Sequence, residues 1–236
     1  MQHINCSICG AVFQTTIFKD DTLKICIPAS TICPSCAEKK KEQQKLEEMR
    51  QKKTILEQKI SCIPEVYRNL DPAIVPIPPN ILNVYLHYQF AKPIFFISGK
   101  TGSGKSLLAY QIIKRRLEEN VDLNFHVMDF NVFSRRSFSN YTLDPEFEDY
   151  KKAQLLFIDN FGIGNINPKI LSEVFEIIEY RIMRNKNTII ACPLTKPELK
   201  KAFNCHPLIY EMLSNRLKQF SDWLILKPAS IGTPNP

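Results

Sequence analysis

The spacing of apolar residues divides this chain into three stretches. Residues 1–36 carry two short β-prone runs, at 11–18 and 22–27, and residues 37–62 form a charge-dense stretch without glycine or proline. From residue 63 onward, short apolar runs alternate with stretches of helical period. Such runs are typical of buried parallel strands, and the helical stretches between them predict crossover helices. The pattern predicts an N-terminal module, a charged helical linker and an α/β domain over residues 63–236.

The α/β domain has a regular order of predicted elements. Four apolar runs predict strands at residues 94–97, 123–128, 155–160 and 188–192. Helices are predicted over residues 105–119, from about 168 to about 184, and over 208–217. Asn167 and Pro168 favour the second of these starts, because an Asn side chain caps free amides and proline fits the first helical position. The order predicts a parallel sheet flanked by helices.

The first of these strands runs into a glycine-rich segment, GKTGSGKS, at residues 99–106. A strand, glycines at this spacing and a following helix form a phosphate-binding loop of the Walker A type (P-loop), whose amides and helix dipole favour an anion. Lys105 would reach the β- and γ-phosphates, and the Ser106 hydroxyl would ligate Mg²⁺. The alternative is a turn that only links strand to helix. The residues predicted to hold the nucleotide are Gly99, Lys100, Thr101, Gly102, Ser103, Gly104, Lys105 and Ser106.

The strand predicted at residues 155–160 ends in an acid, in the run LLFIDN. An acid at the carboxyl end of a buried strand beside a phosphate-binding loop is typical of a Walker B element. Asp159 would then hold Mg²⁺ through water. The alternative is an aspartate that caps the strand before the following turn.

Cysteines supply a second chemical signal in residues 1–36. Cys6 and Cys9 form one CxxC pair and Cys33 and Cys36 form another. Four thiolates at this spacing suit a tetrahedral structural Zn²⁺, and so small a module needs the metal for much of its folding free energy. Cys26 could displace one of the four, or it could be a small buried hydrophobe.

The composition of the chain indicates its cellular compartment and bears on whether it contacts nucleic acid. The first residues lack the basic and apolar regions of a signal peptide, and no apolar run approaches membrane-spanning length, so we expect a cytoplasmic protein. In a reducing cytosol, cysteines favour metal over disulfides. The net charge of +7 comes from spread basic residues, which permits contact with nucleic acid without demanding it.

Taken together, these motifs resemble one family. The order of zinc knuckles, charged helix, IPEVYRNLD, GKTGSGKS, LLFIDNFG, EYRIMRNKNTIIA and LSNRL resembles the AAA+ bacterial replicative helicase loaders (DnaC/DnaI-like) and the related transposition helper ATPases (IstB-like). The resemblance implies an AAA+ fold, ATP, Mg²⁺ and ATP-dependent assembly into a homo-oligomer. It also implies contact with single-stranded DNA and a replicative ring helicase, on which the amino-terminal module commonly docks.

The resemblance also assigns roles to two arginines. In such ATPases an arginine of one subunit neutralises charge on the neighbour's γ-phosphate. Arg216, in the SNRL stretch, matches that arginine, and Arg181 is a second candidate for a cross-subunit contact. The alternative for either residue is a surface arginine near a helix end.

Two positions depart from the family pattern. The residue after the Walker B aspartate is usually a second acid, but here it is Asn160, whose amide can position water and cannot accept its proton. Where relatives place a Ser-Asn pair after the TII strand, this chain has Ala191, Cys192 and Pro193, so Thr195 is the polar residue that could substitute. We therefore expect ATP binding with slow or absent hydrolysis.

The segment NVFSRRSFSNY, at residues 131–141, is a candidate for contact with nucleic acid. It interleaves Arg135 and Arg136 with Phe133, Phe138 and Tyr141, which suits phosphate contact plus stacking on single-stranded bases. The alternative is an amphipathic turn whose aromatics pack on the core. Nearer the end of the chain, Trp223 is expected to be a core anchor, and the segment after it to leave no room for a helical lid.

The interpretation that follows is an ATP-binding AAA+ protein of DNA replication, acting as a helicase loader. One alternative is a transposition helper ATPase acting on target DNA. Another is a nucleotide-binding adaptor with little hydrolysis, which Asn160 would favour. A small-molecule kinase is disfavoured because no arginine-rich acceptor lid is evident.

Overall fold

The computed structural model describes residues 2–20, 25–69, 77–139 and 145–227, and the chain forms two compact units, Met1–Glu57 and Gln58–Pro236. The predicted module and linker boundaries at residues 36 and 62 stay a prediction. In the described part of the chain, no helix is long and apolar enough to cross a membrane.

The first unit contains two pairs of antiparallel strands and most of a long helix. Its elements are β1 (Gln2–Asn5), β2 (Val12–Thr15), β3 (Ile17–Asp20), β4 (Ile25–Pro28) and α1 (Pro34–Ser61). The pair β1 and β2 is antiparallel, as is the pair β3 and β4. The sequence pattern missed β1, which is one alternating tetrapeptide, and it merged β2 with β3. No residue of α1 is buried, as its dense charge predicts.

The second unit is built on a five-stranded parallel sheet. Its strands are β5 (Ile94–Ser98), β6 (Phe125–Asp129), β7 (Leu155–Asp159), β8 (Asn187–Cys192) and β9 (Ser221–Ile225). They lie in the order β6-β7-β8-β5-β9, and every neighbouring pair is parallel. The central strands read as nearly continuous apolar runs because helices cover both faces of such a sheet. The predicted α/β fold with a parallel sheet flanked by helices is confirmed.

Helices precede and connect these strands. They are α2 (Glu65–Arg68), α3 (Pro79–Leu86), α4 (Lys105–Glu119), α5 (Phe130–Ser139), α6 (Phe147–Lys152), α7 (Pro168–Met183), α8 (Lys196–Ala202) and α9 (Pro207–Phe220). The predicted start of α7 is confirmed, since the Asn167 side chain accepts a hydrogen bond from the Ile170 amide at 2.9 Å. One apolar stripe of α7 enters the core that surrounds Phe96, Phe130 and Phe161.

The topology brings the candidate chemistry to one edge of the sheet. Because the strands are parallel, the carboxyl ends of β5, β6, β7 and β8 meet at the same edge. That edge carries the glycine-rich loop after β5 and the acids that end β6 and β7. It is the edge at which ligands of open parallel sheets bind.

Candidate nucleotide-binding site and cysteine cluster

The glycine-rich loop joins β5 directly to the start of α4. Gly104, with a left-handed backbone (φ +89°), precedes the helix, and its carbonyl accepts the Leu108 amide at 2.9 Å. At the other end of the loop, a Cβ on Gly99 would lie 2.3 Å from the Leu226 carbonyl oxygen and 2.7 Å from Ser103 Oγ. Only glycine therefore fits where the loop passes the end of the sheet.

Lys105 lies within this loop with its ammonium directed back toward the backbone. Its Nζ donates to the Lys100 carbonyl at 2.8 Å, and the residue is only 7% exposed. Burial lowers the pKa of Lys105, although the nearby carboxylate of Asp159 opposes that shift. A largely buried cation at the start of a helix, behind a glycine-rich loop, is suited to attract a phosphate.

Ser106 and Asp159 form the second contact of the site. The Ser106 hydroxyl donates to Asp159 Oδ1 at 2.9 Å, which joins the start of α4 to the end of β7. Burial raises the pKa of Asp159, and the hydrogen bonds from Ser106 and from the Asn160 amide oppose that shift. A hydroxyl and a carboxylate side by side at the edge of a phosphate-binding loop are hard oxygen ligands of the kind Mg²⁺ prefers, so these residues fit that metal.

Beyond Asp159, the structure reveals an acid that the sequence analysis missed. The Asn160 side-chain amide donates from Nδ2 to Asp129 Oδ2 at 3.1 Å, and Asp129 Oδ1 accepts the Val132 amide at 3.0 Å. Asn160 has a left-handed backbone (φ +56°), a conformation that asparagine tolerates better than most residues. The alignment of the two strand ends was the signal available, because Asp129 ends the strand beside the one that ends in Asp159.

The end of β8 offers no polar side chain directed at the loop. Cys192 is fully buried, and its thiol donates to the Phe161 carbonyl at 3.3 Å, while burial raises its pKa to about 11. Thr195, the polar residue that could substitute, donates its hydroxyl to Glu198 at 2.7 Å within the cap of α8. Its hydroxyl therefore serves a helix start in this conformation.

A cavity of about 1040 Å³ opens beside the loop. Gly99, Lys100 and Thr101 line one side, and apolar side chains of α8, α9 and β9 line the other. Trp223 is among them, 48% exposed, with its ring 4.1 Å from that of Phe96. The expectation that Trp223 is a core anchor is therefore wrong, because β9 is an edge strand.

Arg216 lies on α9 and forms a surface ion pair. Its guanidinium binds both carboxylate oxygens of Glu179, at 2.7 and 2.8 Å, and its side chain is 40% exposed. It does not line the cavity beside its own loop. Its role toward a neighbouring subunit stays a prediction.

Arg181, in contrast, is buried inside its own subunit. It is 1% exposed and donates five hydrogen bonds, to the Thr188 hydroxyl and to backbone carbonyls around the end of α6 and the start of β8. Burial lowers the pKa of Arg181 to about 9, which still leaves it charged at neutral pH. A guanidinium held in this way cannot reach a neighbour, so the cross-subunit assignment is corrected to a structural role.

The structure separates the members of the candidate nucleic-acid segment. Phe133 is 1% exposed and packs against Phe130 and Tyr150, so it cannot stack on a base, and that expectation is wrong. Arg135 is exposed, and Arg136 lies 3.2 Å from Glu146 in an ion pair. The side chain of Phe138 and all of Tyr141 lie outside the described residues.

In the first unit, the predicted cysteines come together. The sulfurs of Cys6, Cys9, Cys33 and Cys36 all lie within 4.8 Å of one another, and those of Cys9 and Cys33 are 3.7 Å apart. A tetrahedral Zn²⁺ with bonds of about 2.3 Å sets its sulfurs about 3.8 Å apart, so the four residues fit that metal. The side chain of Cys26 lies outside the described residues.

The electrostatics of this cluster favour a cation. Backbone amides of Cys33 and Cys9 lower the pKa of Cys6 to about 6, so this thiol ionises readily. Hydrogen bonds with the thiols of Cys9 and Cys33 raise the pKa of Cys36 to about 12. Because sulfurs this close oppose further ionisation, a divalent cation is the group that would let all four act as thiolates.

The second unit is a parallel α/β domain whose first strand runs through a glycine-rich loop into a helix. Its fold is similar to that of DnaI (TM-score 0.57, 14% identity), over 69% of this chain and 93% of that one. It is also similar to the DnaC helicase loader (0.52, 17%), over 69% and 99% of the two chains. A third similar structure is a candidate primosome component from Streptococcus pyogenes serotype M3 (0.55, 17%), over 71% and 91%.

By sequence, neither a protein-family model nor a curated protein matches the chain. The predicted resemblance to DnaC- and DnaI-like AAA+ proteins is confirmed for the fold. What the chain binds has to be argued from its own residues.

Proposed function

We propose that this protein binds ATP with Mg²⁺ and acts in DNA replication as a helicase loader. The observation that carries the proposal is the cluster of Lys105, Ser106 and Asp159 at one sheet edge, in a fold shared with DnaI and the DnaC helicase loader. Lys105 would neutralise the β- and γ-phosphates, and the oxygens of Ser106 and Asp159 would hold Mg²⁺, which would screen the charge of the triphosphate. The cytoplasm is the compartment that this function implies.

Assembly on ATP is the next part of the proposal. Arg216 is on the surface and held by Glu179, an exchangeable partner, so it can leave that carboxylate for the γ-phosphate of a neighbouring subunit. The pair is bidentate but partly exposed, and a γ-phosphate would accept the same guanidinium hydrogen bonds that Glu179 gives up. The nucleotide would thus be bound by the loop of one subunit and by Arg216 of the next.

The remaining surfaces suggest the division of partners. Arg135 is exposed on α5, which begins at the same sheet edge as the loop, and it would contact phosphates of single-stranded DNA. The first unit, whose four cysteines would hold Zn²⁺ (the cysteine unit), would dock on the ring helicase. The function as a transposition helper would instead require ATP-dependent binding along duplex DNA.

An adaptor without turnover is the second candidate function. The amide at Asn160 and the buried thiol at Cys192 stand where relatives carry groups that act on the γ-phosphate. In that case ATP would hold one conformation of the second unit, and the cysteine unit would carry the partner contact.

Subunit mixing tests the loader against the adaptor. ATP turnover is measured with and without single-stranded DNA for wild type, Arg216→Ala, Lys105→Ala and the control Gln219→Ala, an exposed change on the same helix that does not line the cavity. We expect DNA-stimulated turnover that falls about 10³-fold in Arg216→Ala, and not in the control. Mixing Arg216→Ala with Lys105→Ala should restore activity, because each supplies what the other lacks. ATP binding without turnover would favour the adaptor.

A further inference from the structure

Asp129 and Asn160 form an acid and amide pair at the ends of two neighbouring strands. Asp129 is the register partner of Asp159, and Asn160 is the next residue after Asp159. The pair therefore stands beside the carboxylate proposed to hold Mg²⁺, in the direction of the outer strand β6. We propose that Asp129 is a positioning residue for ATP hydrolysis: it fixes the Asn160 amide so that the amide oxygen holds the attacking water. This inference rests on the proposed ATP-binding function.

The hydrogen bond between Asn160 and Asp129 has only one possible direction. An ionised carboxylate only accepts, so the end of the Asn160 side chain that faces Asp129 at 3.1 Å must be its NH₂ group. The amide oxygen then points away from Asp129. Among the residues that the structure describes, none donates to that oxygen. It is therefore available to a water.

The pair of Asp129 and Asn160 is held rigidly. Asp129 Oδ1 accepts the Val132 amide at 3.0 Å at the start of α5, which leaves Oδ2 for Asn160. Asn160 has a left-handed backbone, and the Ile163 amide donates to the Asn160 backbone carbonyl at 2.9 Å, so the backbone that carries the side chain is held as well. A side chain that is held by its own hydrogen bond and carried on a fixed backbone positions a water better than a free one does.

In the resulting step, the water oxygen bonds to the γ-phosphorus and the bond between that phosphorus and the β,γ-bridging oxygen breaks. ADP leaves with the bonding electron pair, and the water's proton passes to an oxygen of the transferred phosphate. Asn160 accepts a hydrogen bond and no proton, as an amide must. The pair supplies orientation in place of the base that a second acid would supply.

Exchanging the two residues tests this. Asp129→Asn keeps the size and the cap of α5 but removes the acceptor that selects one orientation of the amide. We expect turnover to fall about 10- to 100-fold, as for a lost hydrogen bond to a charged group, with unchanged affinity for a fluorescent ATP analogue. The exchange Asp129→Asn with Asn160→Asp keeps the bond with donor and acceptor reversed and turns a carboxylate toward the water. ATP turnover by this double variant should be at least about tenfold faster than turnover by Asp129→Asn, because the carboxylate can act as a base.

The single change Asn160→Asp is the second comparison, and it decides the matter if Asp129→Asn does not fold. This change places two carboxylates next to each other, and their repulsion disrupts the pair. Its ATP turnover should therefore be at least about tenfold slower than that of the exchange variant. Turnover of Asp129→Asn within twofold of wild type, or an exchange variant no faster than either single change, overturns the inference while ATP binding stands. Wild type that binds the analogue but does not turn over ATP overturns it too. Wild type that does not bind the analogue overturns the proposed function with it.

Discussion

Replacing Arg181 by methionine tests whether this arginine is structural or acts between subunits. Arg181 donates three buried hydrogen bonds, to the Thr188 hydroxyl at 2.8 Å and to the carbonyls of Tyr150 and Ala153 at 2.8 and 2.9 Å. Each acceptor left without a donor costs about 1–3 kcal/mol. Methionine removes the cost of burying a charge and adds buried apolar surface, and both effects offset part of the cost of the unpaired acceptors. We therefore expect a net loss of about 2–4 kcal/mol in the free energy of unfolding.

The assay is urea and thermal unfolding followed by the fluorescence of Trp223, the one tryptophan of the chain. For a unit of this size, the expected loss lowers the melting temperature by roughly 5–15 °C. Arg184→Met is the matched control, because Arg184 is exposed and lies 3.9 Å from the centre of the Tyr180 ring, a contact of about 0.5–1 kcal/mol. If Arg181→Met were as stable as the control and lost turnover that mixing with Lys105→Ala restored, the structural assignment would be refuted.

Three further changes probe the loop, the cysteine unit and the DNA contact. Gly99→Ala should reduce affinity for the ATP analogue at least about tenfold, because its Cβ would meet the Leu226 carbonyl at 2.3 Å; affinity equal to wild type would contradict this. Purified protein should contain one Zn²⁺ per chain, and chelation should unfold residues 1–36 while the Trp223 melting transition stays unchanged; metal content near zero would refute the site. Arg135→Ala should weaken binding to single-stranded DNA and reduce its salt dependence by about one counterion, with Arg184→Ala as an exposed control; an unchanged salt slope would exclude the contact.

The sequence was sufficient for features that depend on local pattern. The glycine spacing of the loop, the apolar runs of the parallel strands and the Asn167 cap are signals carried by neighbouring residues, and the structure has all three. The CxxC pairs likewise identified four cysteines whose sulfurs lie within 4.8 Å of one another in the structure. In each case local chemistry admits few other arrangements.

Features that depend on side chains meeting across the fold could not be predicted in this way. Arg181 and Arg216 are both arginines on amphipathic helices, yet one enters the core and the other stays on the surface. Phe133 packs inside because the period of α5 directs it toward Phe130, which the segment's basic character concealed. The pairing of Asp129 with Asn160 required the register of two strands that are far apart in sequence.

Nucleotide binding by the second unit is the central claim, and energy transfer from Trp223 to a fluorescent ATP analogue measures it most directly, since Trp223 lines the cavity beside the loop. Wild type with Mg²⁺ should show saturable transfer that unlabelled ATP displaces. Lys105→Ala should lose it while keeping the same melting transition, and Lys114→Ala, further along the same helix, should behave as wild type. Equal affinity in Lys105→Ala and wild type would contradict the assignment of the loop.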